Sequence, residues 1–346
     1  MLGAPGDALM GTHRIGILPG DGIGPEVVDA AILVLDAVQR RSGVKMEYVK
    51  GEAGYNCVGK YGSNLPEETL RKLKGTEACL KGPMTTPEEP GSPVSVAVKL
   101  RKQFDLYANV RPNKTLPNVP SLKPGIDLVI VRENTEGLYA GIEIEPAPGV
   151  GVAMRVITRG ASERIARFAF KLAMQRRKKL AYVHKGNILK ITDGVFKAAV
   201  QKVEKEFTEV HVEDLHIDAA AMQLIKRPET FDVIVTTNMF GDILSDEAAQ
   251  LVGGLGVAAG ANLGESYGMF EPVHGSAPKY AGQNKVNPVA TILAASMMLN
   301  HLGEKPAADM IENAVNAVLA EGKTLTYDLG GTGSTSGIGK AIAGRL

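Results

Sequence analysis

Cysteine is scarce: Cys57 and Cys79 are the only two in 346 residues. Two thiols cannot build a disulfide framework or a four-cysteine metal centre. Net charge is nearly absent as well, with 39 Lys plus Arg against 38 Asp plus Glu, a formal +1. That balance excludes the electrostatic footprint of a nucleic-acid or membrane-surface binder. Any anionic ligand must be held by a few local cations. Long hydrophobic runs are missing too; stretches such as VATILAASMML fall well short of the roughly 20 residues that span a bilayer. The start, MLGAPGDALMGTHR, lacks the apolar stretch of a signal peptide, so secretion is not expected and a cytoplasmic location is. No internal repeat, heptad run or low-complexity tract interrupts the chain.

What is present is ordinary globular composition, 44% hydrophobic and 22% charged, at a length that suggests two domains. The 40 glycines and 19 prolines point to many tight turns near ligand sites. Residues 1–12 read as a frayed leader. RIGILP (14–19) is a short β-run, followed by GDGIGPE and a helical pattern over 27–41 in which Pro25 suits the first turn. Strands are expected at 46–54, 77–83, 126–134, 180–185, 210–218 and 231–238. Helices are expected at 68–75, 161–177 (capped by Ser162), 195–207, 219–227, 288–302 and 307–321. Alternation around a Pro/Gly turn at 141–159 predicts a hairpin arm. Strands alternating with helices imply an α/β architecture with strand ends carrying the site.

Four constellations carry chemistry. Gly20, Gly22 and Gly24 sit where a dinucleotide fingerprint would lie, but the spacing G-x-G-x-G brings the third glycine one residue early. A turn needing positive φ is the better reading. Arg101, Arg111 and Arg132 present planar forks that suit a polycarboxylate if they converge; taken singly, each is a surface ion-pair partner. Asp242 and Asp246 lie at i, i+4 on one helical face, where like charges repel unless a cation sits between them, and oxygen-only ligation favours Mg²⁺ or Mn²⁺. A first-turn pair complementing the helix dipole is the competing reading. Asp218, ending the strand LHID, could supply a third oxygen. Lys185 closes an apolar strand, where burial could fit its amine for proton transfer, although lysines more often snorkel. His184, among apolar neighbours, reads as a satisfied core residue. Tyr139 is either a core aromatic or a proton donor.

In order along the chain, PGDGIGPEV, LRKQFDLYANVRP, RENTEGLYAG, VHKGNILKITDGVF, NMFGDILSDEAAQLVGGLG, FEPVHGSAPKYAGQNKVNP and TYDLGG strongly resemble the isocitrate/isopropylmalate dehydrogenases. These are metal-dependent, β-decarboxylating 2-hydroxyacid dehydrogenases, and the likeness spans nearly everything but the leader. It implies a two-domain, non-Rossmann α/β fold of mixed sheets flanked by helices. A large cofactor-binding domain (1–107 with 258–346) and a small one (108–257) carrying the dimer interface and clasp hairpin are implied. It further implies a homodimer with shared active sites, Lys185 and Asp218 serving the neighbouring subunit. Arg101, Arg111 and Arg132 would grip substrate carboxylates. Asp218, Asp242 and Asp246 would hold Mg²⁺ or Mn²⁺. Tyr139 and Lys185 would be the catalytic acid/base pair, assisted by Asp218.

The same resemblance speaks to specificity. Lys279 and Tyr280 match NADP-using isocitrate enzymes, because a cation there neutralises a 2′-phosphate that an acid would repel. Tyr327 matches a further phosphate contact, while an expected arginine four residues on is replaced by Gly331. Thr86, Asn187, Glu271, His274, Gly275, Ser276, Ala277 and Asn287 complete the implied cofactor set, with NADP preferred over NAD. Ser95 matches the serine that reads the isocitrate γ-carboxylate, although Ala97 stands where an asparagine is usual. Val98 lacks the arginine common in homoisocitrate enzymes, and Val94 and Val98 leave some apolar character. The expected reaction is oxidative decarboxylation of isocitrate to 2-oxoglutarate, with homoisocitrate or 3-isopropylmalate as alternative substrates. A non-catalytic regulatory subunit is disfavoured because Tyr139, Lys185 and the aspartates are all present. No nucleic-acid or membrane partner is implied.

Overall fold

The computed structural model describes residues 12–89 and 91–346. The expected leader lies outside the described residues, except that Thr12 already opens the first strand. Two compact units are formed, one from the chain up to Val96 with Gly268–Leu346, the other from Ala97–Tyr267. The sequence reading placed these boundaries at 107/108 and 257/258. The flanks 97–107 and 258–267 join the central unit because Arg101 Nε donates to Asn262 Oδ1 (3.0 Å) and Phe104 stacks on Tyr267 (4.3 Å). The two units are nearly equal in length, so "large" and "small" do not distinguish them.

The first unit begins with β1 (Thr12–Leu18), α1 (Gly24–Ser42), β2 (Lys45–Lys50), α2 (Val58–Tyr61), α3 (Glu67–Leu73) and β3 (Ala78–Lys81). In the central unit follow α4 (Val96–Gln103, its first residue still in the first unit), β4 (Ala108–Lys114), β5 (Asp127–Glu133), β6 (Gly137–Ala147) and β7 (Val150–Val156). Then come α5 (Arg159–Met174), β8 (Lys179–His184), α6 (Thr192–Glu204), β9 (His211–His216), α7 (Ile217–Lys226), β10 (Val233–Thr236), α8 (Asn238–Leu251) and β11 (Ala259–Leu263). The chain returns to the first unit with β12 (Gly268–Pro272), α9 (Val289–His301), α10 (Lys305–Glu321) and α11 (Thr335–Ala343).

The first unit's strands run parallel in the order β2-β1-β3-β12. Strands buried on both faces need continuous apolar sequence, which ACLK and RIGIL supply. The buried face of α1 (Val27, Ala31, Val34, Leu35, Val38) meets α9 and α11. The apolar run noted above is α9, buried almost all round inside this unit. Among the described residues no helix is long and apolar enough to cross a membrane.

The central unit's sheet is mixed, in the order β11-β4-β5-β10-β8-β9: antiparallel through β11/β4/β5, parallel through β5/β10/β8/β9. Leu244, Ala248 and Leu251, one stripe of α8, sink into a core with Leu128, Ile130 and Ile234. Burying each leucine contributes about 2 kcal/mol, which fixes the opposite stripe of α8, Asp242 and Asp246, away from the core. β6 and β7 form a separate antiparallel hairpin, as the alternation at 141–159 predicts. One helix start differs from expectation. α5 begins at Arg159, its cap being Thr158, whose side chain accepts from Ala161 N (3.2 Å). Ser162 lies inside the helix, its hydroxyl donating back to Thr158 O (2.7 Å).

Candidate active site

The three arginines expected to bind a polyanion lie in the central unit and are all buried. Arg111 and Arg132 come from the paired strands β4 and β5, and Arg101 from α4. Arg111 bridges the two α8 carboxylates, with Nη1 2.8 Å from Asp246 Oδ1 and Nη2 3.3 Å from Asp242 Oδ1. The cation that two like charges one turn apart require is thus a guanidinium. Arg132 pairs with Asp242 as well, and Tyr139 donates its hydroxyl to the other oxygen of that carboxylate. The Arg132 guanidinium also lies 4.9 Å from the centre of the Tyr139 ring. The dipole reading of Asp242 and Asp246 does not hold, since they are the fifth and ninth residues of α8 and its first turn carries no acid.

The electrostatics follow from this crowding. Burial and the neighbouring Arg101 charge push Arg132 down to about 10, with Asp242 opposing. At Asp242 burial acts upward, but Arg132, the Tyr139 hydroxyl and Arg111 outweigh it and hold the carboxyl below its ordinary value. Asp246 moves the other way, raised by burial and by the Asp242 charge despite Arg111. The Tyr139 hydroxyl is raised by burial and by its hydrogen bond to Asp242, so it keeps its proton.

Sequence reasoning missed the groups that aim these arginines. Asn262 Oδ1 accepts from Arg101 Nε (3.0 Å), Asn109 Nδ2 (2.9 Å) and Asn134 Nδ2 (2.9 Å). Asn109 Oδ1 in turn accepts from Arg111 Nε (3.0 Å), and Ser245 Oγ from Arg111 Nη1 (2.7 Å). Asn238 Oδ1 accepts from Arg132 Nε (3.0 Å) and Nη2 (2.7 Å). The available signal was asparagine inside strand sequence, at ANVR and GANL, where a residue disfavoured in strands must have a polar partner.

Lys185 and Asp218 form a second pair, Nζ to Oδ1 at 2.7 Å. β8 and β9 run parallel with His184 opposite His216, so the residues just beyond both strand ends emerge side by side. Asp218 does not end a strand: it is the second residue of α7, exposed, and held below its ordinary pKa chiefly by the Lys185 hydrogen bond. Lys185 is not a buried amine either, a quarter of its side chain being open and the ammonium ion-paired. Among the described residues no three His, Cys, Asp or Glu side chains gather as a metal cluster. Asp218 therefore does not join Asp242 and Asp246 within one chain. The two α8 carboxylates do suit a hard divalent cation: both donors are oxygen, Asp246 is 54% exposed, and only its Oδ1 is engaged by Arg111. His184 is the satisfied core residue expected, its Nε2 2.5 Å from Asp214 Oδ1 while Nδ1 accepts from Gly186 N (2.9 Å).

The implied cofactor loop belongs to the first unit. Gly20 and Gly22 both have positive φ, +81° and +58°, as a strand-to-helix turn demands. Between them the buried Asp21 carboxylate accepts the backbone N–H groups of Tyr55 (2.7 Å), Asn56 (3.1 Å) and Thr85 (2.9 Å). Ile23 N donates to Ser276 O (2.9 Å), and Thr85 Oγ1 bonds Ser276 Oγ (2.7 Å), so the glycine turn seats the 274–288 loop. Thr85 makes this contact, whereas Thr86 beside it is exposed. Gly275 is exposed, and Ala277 takes the left-handed conformation (φ +35°) before the turn that carries Lys279 and Tyr280. Glu271 pairs with buried Lys81 at 2.6 Å, and Asn287 donates to Asp328 Oδ2 (3.0 Å). Asn187 is exposed and lies in the central unit, two residues after Lys185.

At this loop's outer end the rings of Tyr280 and Tyr327 lie 5.9 Å apart. Lys279 Nζ stands 4.8 Å from the Tyr280 ring, and Lys285 Nζ 4.9 Å from Tyr327 and 5.6 Å from Tyr280. Lys285 was not singled out from sequence, yet it doubles the local positive charge. The Lys279 hydrogen bond and charge lower the Tyr280 hydroxyl, while burial and Tyr280 raise that of Tyr327. The arginine absent at 331 could not be accommodated, because a Cβ on Gly331 would lie 2.0 Å from Leu325 O. A nucleotide fits the loop on one further observation. His274 Nδ1 lies 3.0 Å from the Gly275 carbonyl, to which it must donate, which leaves Nε2 a buried acceptor with no partner among the described residues. Burial also lowers the His274 pKa, favouring that neutral form.

Comparison with known proteins identifies the family. The sequence matches the isocitrate/isopropylmalate dehydrogenase family over residues 14–342. It is 50% identical over 339 residues to a 3-isopropylmalate/3-methylmalate dehydrogenase of Methanocaldococcus jannaschii, covering 96% of this chain and 99% of that protein. It is 49% identical over 336 residues to an isocitrate/homoisocitrate dehydrogenase of Thermus thermophilus, covering 96% and 98%. The crystal structure of isocitrate dehydrogenase from Methylococcus capsulatus matches with a TM-score of 0.92 at 45% identity, covering 96% and 99% of the two chains. The chain therefore belongs to the isocitrate/isopropylmalate dehydrogenase family, decarboxylating hydroxyacid dehydrogenases that act on small polycarboxylates with a divalent metal and NAD(P).

Proposed function

We propose that this protein oxidatively decarboxylates isocitrate to 2-oxoglutarate and CO₂, using NADP and Mg²⁺ or Mn²⁺, as a homodimer. The observation that carries the reading is the buried cluster in which Arg111 and Arg132 converge on Asp242 and Asp246 beside Tyr139, with the Arg101 charge acting on both Arg132 and Asp242. Planar guanidinium forks gathered in one place match the carboxylates of a polycarboxylate. Ser95, half-buried just before α4, supports a substrate with a further carboxylate.

Asp242 and Asp246, with the partner subunit's Asp218, would hold the divalent ion. Bound there, the ion would supply Lewis acidity at the 2-hydroxyl, and NADP would supply the hydride acceptor for C2. Arg101, Arg111 and Arg132 orient the carboxylates. The Lys185–Asp218 pair takes the hydroxyl proton as a relay, the Lys185 ammonium passing its own proton to Asp218 as it accepts that of the hydroxyl. When the bond from C3 to the β-carboxylate breaks and CO₂ leaves, its electron pair forms an enolate. Tyr139, whose raised pKa keeps its proton in place, delivers that proton to C3.

NADP is supported by the positive, aromatic end of the 274–288 loop. Lys279 and Lys285 flank Tyr280 and Tyr327, and the neighbouring Asp328 is engaged by Thr326 and Asn287. A homodimer is supported by the apolar side chains exposed on the hairpin (Ile144, Val150, Met154) and on α7 and α8 (Met222, Ile225, Ile243). A second reading has its own support. Val94 is exposed, Val98 half-buried, and Ala97 replaces an asparagine, which favours an apolar substituent such as that of 3-isopropylmalate.

The test is a steady-state panel of isocitrate, homoisocitrate, 3-isopropylmalate and tartrate, each with NAD and NADP plus Mn²⁺. The isocitrate–NADP pair is expected to give the highest kcat/KM. A higher value for 3-isopropylmalate selects the second reading.

A further inference from the structure

Asp193, the second residue of α6, is fully buried and takes no part in the chemistry proposed above. Its Oδ2 accepts the backbone N–H of Lys185 at 2.6 Å. Its Oδ1 is ion-paired with Arg155 of strand β7, the second strand of the hairpin. Arg155 also donates through Nη1 to Thr192 Oγ1 (2.9 Å) and through Nη2 to Thr237 Oγ1 (2.9 Å), and its guanidinium lies 5.2 Å from the Phe240 ring. Thr237 stands at the start of α8 but does not cap it with its hydroxyl, which serves Arg155 instead. One buried ion pair therefore holds three things: the backbone of Lys185, the first turn of the helix carrying Asp242 and Asp246, and the hairpin whose base carries Tyr139.

The geometry points to Arg155 and Asp193 as positioning residues that fix Lys185 relative to the hairpin and the start of α8. This rests on the roles proposed for Lys185 and Asp242. In the proposed homodimer Lys185 serves the partner's site and the α8 carboxylates serve the protomer's own, so the pair ties one protomer's own site to the group it lends its partner. A rigid linkage suits the task. Proton transfer tolerates little displacement, and Lys185 sits on a turn whose carbonyl accepts from Ile188 N (3.0 Å) and Leu189 N (2.8 Å) and whose N–H is held by Asp193. Both carboxylate oxygens of Asp193 are used, so neither end of the link can move without loss of a charge-assisted bond.

Removing one member would strand a buried charge and risk misfolding. The decisive variant is therefore the double substitution Arg155→Met with Asp193→Asn, which removes both charges, fills the volume and still offers Lys185 N–H an acceptor. Thermal denaturation and the dimer fraction are read beside kcat and both KM values. With folding and dimer fraction near those of the unaltered protein, kcat is expected to fall about 10–100-fold while both KM values change by less than about threefold. Arg155→Lys with native Asp193, which keeps a charge but not the fork, should recover part of that kcat. Unchanged kcat in the folded double variant would overturn the inference, as would a loss of activity that merely tracks the loss of folded dimer. Lys185→Met is the separate control: if it keeps its activity, the underlying reading of Lys185 fails, whatever the double variant does.

Discussion

Replacing Gly22 by alanine tests whether the glycine turn after β1 exists to seat the cofactor loop. Gly43 offers the comparison, since it too has positive φ (+80° against +58°) but a Cβ there meets nothing within 4 Å. Left-handed backbone costs an alanine about 1–2 kcal/mol, partly offset by lower entropy of the unfolded chain. Gly43→Ala should therefore lose only about 1 kcal/mol. At Gly22 a Cβ would stand 2.0 Å from Ser276 O and 3.0 Å from its carbonyl carbon. Neither atom belongs to a flexible side chain, so the backbone at Ser276 must retreat. The Ile23 N–H to Ser276 O bond (2.9 Å) would go with it, leaving a buried donor that costs about 1–3 kcal/mol. Forced backbone displacement costs about 1–3 kcal/mol more. Gly22→Ala should thus lose roughly 3–6 kcal/mol, measured by urea denaturation. Because the displaced segment leads into His274, Lys279 and Tyr280, KM for NADP should rise about tenfold or more, while KM for isocitrate stays within about twofold. Equal stability losses in Gly22→Ala and Gly43→Ala, or an unchanged nucleotide KM, would refute the reasoning.

Three further outcomes are expected. Lys285→Ala should raise KM for NADP about tenfold, the worth of one charge-assisted contact, and leave that for NAD unchanged; a parallel loss with NAD would remove Lys285 from phosphate recognition. Asp246→Asn should lower kcat/KM about 100-fold and raise the Mn²⁺ concentration needed for half-maximal rate; an unaltered Mn²⁺ dependence would exclude it as a ligand. His13 contacts Glu77 (2.9 Å) and Glu304 (3.2 Å); burial opposes its charge, but the two carboxylates prevail and raise its pKa. Its stabilisation is complete below the unfolded value of about 6.5 and is lost as pH rises through the raised folded value. Stability to urea should fall between about pH 6 and 8 more steeply than in His13→Gln, and matching slopes would assign the pH dependence elsewhere.

Charge and periodicity are what made the fold and site legible in sequence. Strand–helix alternation located most elements of both units, because the apolar period changes wherever the chain leaves the sheet, but β11, β12 and α11 were missed in glycine-rich sequence. The start of α5 was misplaced because Thr158 and Ser162 are equally able caps, and only the hydrogen bonds decide that Thr158 serves. The flanks 97–107 and 258–267 were assigned to the wrong unit because the contacts that decide it, Arg101 with Asn262 and Phe104 with Tyr267, link residues more than 150 positions apart. Lys185 with Asp218 is a similar case. Each is visible alone, but their meeting follows from the register of β8 and β9, which no local pattern encodes. Arg155 and Asp193 left no signal at all, because a buried ion pair looks in sequence like two surface charges.

The near-zero net charge acquires a physical meaning at the arginine cluster. A protein can bury three guanidinium groups only by satisfying their donors, and two carboxylates cannot do this alone. Neutral acceptors share the task, Ser245 and three asparagines among them. Asn109, Asn238 and Asn262 each accept an arginine Nε, the nitrogen that points back along the side chain, so the outer nitrogens keep a fixed direction. Had aspartates stood at those three positions, the cluster would be neutralised from behind and its attraction for a polyanion spent internally. Neutral acceptors orient the cations without discharging them. Specificity for carboxylate-rich substrates therefore depends as much on what the second layer withholds, negative charge, as on the arginines themselves.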